Sequence, residues 1–181
     1  MKKLLVMLMA IGLGAVAATA GGVGVFGSYW DTEDLGPGFG GGVKFKADIA
    51  EYFAVEFRAS CITKFDDWEG DDELYVIPLE AALLVNLPLG DEVPITVYGG
   101  GGGGYAILPE ADDVDYDDDF CFFGIGGVEL GLGESASLFA EVQYRFLEID
   151  GAEVDGVDID AGDEGGELTG LSFNAGLLFR F

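Results

Sequence analysis

Histidine is absent from all 181 residues, which removes the commonest general base near neutral pH and the commonest nitrogen ligand for zinc. Cys61 and Cys121 have no basic neighbour in sequence to lower a thiol pKa, and they fall on opposite side-chain phases, so a disulfide between them is not expected. Asp117 and Asp119 have the spacing of a carboxylate dyad, but in an acidic loop they read as solvated. Asp113, Asp115 and Asp117 imitate the start of a calcium loop. Position six is then Asp118 where glycine is needed, and position twelve is Gly124 where a bidentate glutamate is needed, so no EF-hand forms. Loose, multi-site binding of Ca²⁺ or Mg²⁺ by Asp113, Asp115, Asp117 and Asp119 is the remaining metal expectation, with no resident cofactor. Six consecutive glycines, 99–104, contain a GxGxxG spacing, but no helix and no Lys-Ser or Lys-Thr follows, so a phosphate loop is excluded.

What survives is a set of ionisable side chains: Lys44, Lys46, Asp48, Glu56, Arg58, Glu80, Glu129, Glu141, Arg145 and Arg180. Each sits in a stretch of alternating polarity, on the phase opposite the large apolar residues. In 39–49, Phe39, Val43, Phe45 and Ile49 face one way while Lys44, Lys46 and Asp48 face the other. In 53–64, Phe53, Val55, Phe57 and Ala59 oppose Glu56, Arg58 and Lys64. The chemistry of such a nearly balanced set on one face of a sheet is mutual ion pairing.

Those side chains need strands to position them. Eight alternating segments are legible after the first 20 residues: 21–30, 39–49, 53–64, 74–87, 95–108, 120–132, 138–146 and 168–181. Short turns at 50–52, 88–94 and 133–136 alternate with longer acidic loops at 31–38, 65–73, 109–119 and 148–167. An even strand number with short turns on one side and long loops on the other predicts an all-β, eight-stranded antiparallel up-and-down barrel that spans a membrane.

Composition sets up the conflict this fold resolves. The formal net charge is −26, yet half of the residues are hydrophobic, so charge and apolar surface must be segregated. The loops hold most of the acids. A soluble eight-stranded barrel would point Val43, Phe45, Val55 and Phe57 inward and its charged face to water. That face, however, is dominated by glycine, alanine and serine, which suit a narrow interior better than a wet surface. Aromatic residues also gather at the segment ends, with Tyr29, Phe39, Tyr75, Tyr105 and Phe120 near the loops and Phe53, Phe179 and Phe181 near the turns, as interfacial girdles require. At the start, Lys2 and Lys3, an apolar run to Ala17 and the small-x-small site Ala18-Thr19-Ala20 predict a cleaved secretory signal peptide over 1–20 and one barrel domain over 21–181.

The final segment carries the most specific resemblance. Leu171, Phe173, Ala175, Leu177, Phe179 and Phe181 alternate on one face and the chain ends on an aromatic residue. This resembles the C-terminal strand of the small bacterial outer-membrane β-barrels of the OmpA/OmpX type, a porin-family group. The likeness extends over essentially all of 21–181. It implies that Phe173, Leu177, Phe179 and Phe181 form an assembly signal read by the barrel-assembly machinery. It also implies the outer membrane of a Gram-negative-type bacterium as location, outer-membrane lipid and lipopolysaccharide as surroundings, and long loops outside the cell. Enzymes built on such barrels rely on a histidine base, so the resemblance together with the missing histidine argues for a protein without enzyme activity. The expected function is structural or surface-interacting, with the lumen filled by the charged side chains. The alternative is a narrow, cation-favouring pore. Nucleic-acid binding is contraindicated, because no basic patch reaches solvent. The oligomeric state is not encoded in anything above.

Overall fold

The computed structural model describes residues 21–33, 36–63, 75–90, 94–107, 114–116, 119–147, 151–154, 157–160 and 168–181. Its strands are β1 (Gly21–Thr32), β2 (Gly36–Ala50), β3 (Phe53–Thr63), β4 (Ile77–Pro88), β5 (Ile95–Ile107), β6 (Val114–Tyr116), β7 (Asp119–Gly131), β8 (Ala136–Phe146), β9 (Gly151–Val154), β10 (Val157–Asp160) and β11 (Gly170–Arg180). Eight of them close into a barrel in the order β1-β11-β8-β7-β5-β4-β3-β2, every neighbour antiparallel. The predicted fold class is the observed one. The candidate signal peptide, Lys64 and most of the acidic loop residues lie outside the described residues.

Closure rests on the seam between the first and last strands. Val23 lies opposite Phe179, Val25 opposite Leu177 and Tyr29 opposite Phe173. The backbone N–H of Phe181 donates to the carbonyl of Gly21 at 3.0 Å, carrying the ladder past the end of β11. A sheet closed in this way has no unpaired edge to offer, which is the condition for strands in lipid. Phe173, Phe179 and Phe181 are exposed on the outer surface, with Leu177 half-buried beside them.

Alternation along each strand becomes inside and outside. β8 shows it most cleanly: Ser137, Phe139, Glu141, Gln143 and Arg145 point inward and are buried, while Leu138, Val142, Tyr144 and Phe146 are exposed. The same holds for Val23, Val25, Val43, Leu83, Val85, Val128 and Leu130, a continuous apolar outer wall. Aromatic pairs mark its loop-side rim, Tyr29 with Phe39 at 5.1 Å and Tyr105 with Phe120 at 5.3 Å between ring centroids. Val43 sits at the centre of β2 on this wall. Val43→Arg is therefore expected to lower folding stability in lipid by about 2–4 kcal/mol, the cost of a guanidinium at the midplane. Urea titration in bilayers measures it, and an unchanged midpoint would refute the outward assignment.

Three connections differ from the sequence expectation. The first long loop, 31–38, is largely taken up by strand. β1 runs on to Thr32, which pairs with Gly36, and Gly36 adopts φ 64°, a left-handed conformation that glycine reaches without strain. Loops 109–119 and 148–167 contain strands that were not expected. β6, β9 and β10 pair as a separate three-stranded sheet in the order β10-β9-β6, joining the loop after β5 to the loop after β8. The physical reason is backbone pairing: Val114, Val157 and Ile159 alternate with aspartates, a short β pattern that high charge disguises.

Candidate functional site

The barrel interior divides into three layers. At the loop end, Trp30, Ile62, Val76, Ala106, Cys121, Leu147 and Leu168 form a buried apolar cluster. They come from the inward phase of β1, β3, β5 and β7 and from the residues flanking β4, β8 and β11. The predicted small, polar inward face is therefore only part of the truth, because this end of the lumen is apolar.

The central layer is ionic. Arg58 on β3 and Glu141 on β8 face each other from opposite walls of the ring, with Nη1 2.9 Å from Oε1. Arg58 also pairs with Glu56 on its own strand and donates to Gln143 Oε1 at 2.8 Å. Lys44 on β2 lies 3.0 Å from Glu141 Oε2 and 3.2 Å from Glu56 Oε2. Arg145 on β8 donates from Nε to Glu80 Oε1 on β4 at 2.7 Å, and its Nη1 donates to Ser172. Gln143 Nε2 donates to the same Glu80 oxygen at 2.7 Å, linking the two clusters. Three cations, Lys44, Arg58 and Arg145, meet three anions, Glu56, Glu80 and Glu141, so the layer is neutral overall. All six are buried. Burying them singly would be prohibitive. Here each pair and its hydrogen bonds offset much of the lost hydration.

Aromatic rings complete the central layer. Tyr98 Oη donates to Glu141 Oε2 at 2.7 Å. Lys44 Nζ sits 3.5 Å from the centroid of the Phe139 ring, and the Arg145 guanidinium lies 4.7 Å from that of Trp30.

At the turn end, Glu129 on β7 takes Lys46 from the opposite wall, at 3.2 Å, and Arg180 from β11. Arg180 reaches the mouth, its side chain 45% exposed. Asp48 departs from the expected network. It is half-buried and makes no ion pair among the described residues. A register shift between Asp48 and Ala50 ends the regular pairing there, and its cross-strand neighbour is Ala54, which offers no charge.

Of the ten ionisable residues singled out in the sequence, nine thus stand in ion-pair contact inside the barrel. Tyr98, Trp30 and Phe139 were not anticipated as their partners. For Tyr98 the signal was hidden by the glycine run that follows it, which looks the same on both phases. Counting back from inward Gly100 and Gly102 would have found it.

The two thiols are free, Cys121 buried in the apolar layer and Cys61 exposed on the outer wall. No group of metal-ligating side chains occurs among the described residues. Of the divalent-ion candidates, Asp113 and Asp117 lie outside the described residues. For Asp115 and Asp119 the backbone alone is described, Asp115 opposite Glu153 and Asp119 opposite Ala106.

A family model described as outer membrane protein beta-barrel domain matches residues 4–181. Among solved structures, the fold is similar to the outer membrane protein OprG from Pseudomonas aeruginosa, at 16% identity and a TM-score of 0.67, covering 90% of this chain and 97% of that one. It is also similar to Neisserial surface protein A, NspA, at 12% identity and a TM-score of 0.65, covering 89% of this chain and 97% of that one. Ail, the attachment invasion locus protein of Yersinia pestis, is similar at 12% identity with a TM-score of 0.54, over 90% of this chain and 99% of that one. At such identities the likeness speaks for the fold alone. No curated protein matches the sequence significantly.

Proposed function

The chain belongs to the outer membrane protein β-barrel domain family, and from that premise we propose that it is a non-enzymatic barrel of the Gram-negative outer membrane with a structural or surface-interaction role. Its lumen is a filled strut, and its acidic loops are the part that meets the outside. The observation that carries this reading is the filling itself. The apolar layer around Trp30 and Leu168 is buried to within 1% of full, and the ion pairs Arg58–Glu141 and Lys46–Glu129 span the ring beneath it. Eight strands enclose an interior just wide enough for side chains to fill, so such a lumen leaves no room for solute passage.

The loops have a complementary role in this reading. Their carboxylates repel the phosphates of surrounding lipopolysaccharide, and loosely held Ca²⁺ or Mg²⁺ bridges the two. Phe173, Leu177, Phe179 and Phe181, on the outer face of the closing strand, serve the barrel-assembly machinery during insertion. The missing histidine supports the non-enzymatic part.

Planar-bilayer recording tests the central claim. Folded protein, verified by its different gel mobility with and without boiling, is expected to give no discrete conductance steps at any applied voltage, with or without millimolar Ca²⁺. Reproducible cation-selective steps would overturn the strut reading in favour of the narrow, cation-favouring pore.

A further inference from the structure

The seam that closes the barrel reaches its turn-side end at Gly21. Two backbone hydrogen bonds join this residue to Phe181. The N–H of Phe181 donates to the Gly21 carbonyl at 3.0 Å, and the N–H of Gly21 donates to the Phe181 carbonyl at 3.4 Å. The second bond is long for an amide donor, so the last rung of the seam is weak at the Gly21 nitrogen. β1 begins at this residue, with Gly21 opposite Ala47 of β2 and Gly22 opposite Arg180 of β11. The small-x-small site Ala18-Thr19-Ala20 ends one residue before it. The predicted point of cleavage and the last rung of the seam therefore share one nitrogen atom.

That nitrogen stands beside an unbalanced set of charges. Gly21, Gly22 and Phe181 line a cavity of about 380 Å³ at the turn-side mouth, together with Lys46, Asp48, Glu51 and Arg180. Lys46 and Arg180 both reach Glu129. Asp48, the residue after Ala47, and Glu51 make no ion pair among the described residues. Two cations, Lys46 and Arg180, thus meet three carboxylates, Asp48, Glu51 and Glu129. In the central layer three meet three. The mouth is one positive charge short.

We propose that removal of the signal peptide provides this charge: cleavage between Ala20 and Gly21 turns the end of the seam into an α-ammonium that ties β1 to β11 and balances the mouth. This role rests on the cleavage predicted by Lys2, Lys3, the apolar run and Ala18-Thr19-Ala20. Hydrolysis of the bond takes one water. Its oxygen goes to the carbonyl carbon of Ala20, which leaves as a carboxylate. Both of its hydrogens end on the Gly21 nitrogen, which becomes an ammonium. One neutral donor has become three charged ones. The first still serves the Phe181 carbonyl, now as a charge-assisted bond, which is shorter and roughly twice as strong. The other two are left for the Asp48 and Glu51 side of the cavity. An uncleaved chain has a single neutral N–H at this point and keeps the mouth acidic. Processing thereby completes the barrel as well as releasing it from its leader.

Two measurements test this. The intact mass of protein recovered from outer membranes should correspond to a chain whose first residue is Gly21. Urea titration in bilayers then compares the folded chain beginning at Gly21 with one beginning at Ala20. The longer chain keeps the Gly21 N–H but moves the ammonium one residue away. Its folding equilibrium constant is expected to be about fivefold to tenfold smaller, the range between a solvent-screened ion pair and a charge-assisted hydrogen bond. Asp48→Asn combined with Glu51→Gln should remove most of that difference, which a mere effect of chain length would not do. A first residue other than Gly21 would overturn the cleavage and the proposal with it. With Gly21 first, equal stability of the two chains would leave the cleavage standing and overturn the role of the ammonium. A difference that persists undiminished in the double variant would overturn it as well.

Discussion

Arg58→Met is expected to cost about 3–5 kcal/mol of folding stability, the price of leaving buried charges uncompensated. Arg58 touches both Glu56 and Glu141, and it also holds the Gln143 amide oxygen. Methionine fills much of the same volume, so a cavity does not explain the loss. Lys44 stays within 3.2 Å of both carboxylates, but one ammonium then faces two carboxylates in a site with almost no water. Urea unfolding in lipid bilayers should show the drop, and the folded gel form should be lost at a lower temperature. The control is a double variant, Arg58→Met with Glu56→Gln, which removes one carboxylate charge along with the guanidinium and leaves Lys44 paired with Glu141 at 3.0 Å. It should recover a substantial part of the loss, because the layer is again neutral. A double variant less stable than Arg58→Met alone would show that the network stabilises by more than charge balance.

That network was legible in the sequence to an unusual extent, and the reason is the strictness of the strand period. Lys44 and Lys46 can share a face only in a strand, and Phe45 between them must then face away. Once 39–49 is a strand with two inward lysines in a membrane barrel, carboxylates such as Glu56 and Glu141 are required inside as well. What the pattern does not hold is distance across the lumen. Arg58 meets Glu141 through closure of the whole ring, over 83 residues of chain, and no local period encodes that. Asp48 fails for a related reason: it carries the right phase but stands where a register shift ends the ladder. The apolar cap around Trp30 was also hidden. Trp30 shares the inward phase with Phe26, Ser28 and the glycines Gly22 and Gly24, and a face of such mixed sizes reads ambiguously until the ring is closed.

The glycine run in β5 is the part of the sequence where phase disappears altogether, and there the structure makes a sharp distinction between neighbours. A methyl group added at Gly102 would stand 1.9 Å from the carbonyl oxygen of Ala81 and 2.8 Å from the Cα of Ala82, all backbone of β4. At Gly103 the nearest atoms would be the Cys121 carbonyl oxygen at 3.4 Å and the Phe122 ring at 3.5 Å, ordinary contacts. Gly102 lies on the inner, concave side and Gly103 on the outer. In a barrel of only eight strands the sheet coils so tightly that inward Cβ atoms run into the neighbouring backbone, and glycine is the residue that relieves it. Gly102→Ala is accordingly expected to destabilise by about 3 kcal/mol, the upper part of the range for overpacking, because no flexible side chain can yield. Gly103→Ala should be neutral or stabilising by up to about 1 kcal/mol, through the lower entropy of the unfolded chain. Both variants are read by the same urea titration in bilayers. Equal effects at the two positions would mean that the run serves flexibility in general. Opposite effects would mean that alternate glycines of the run do different work, the inward ones allowing the sheet to close around the ion pairs.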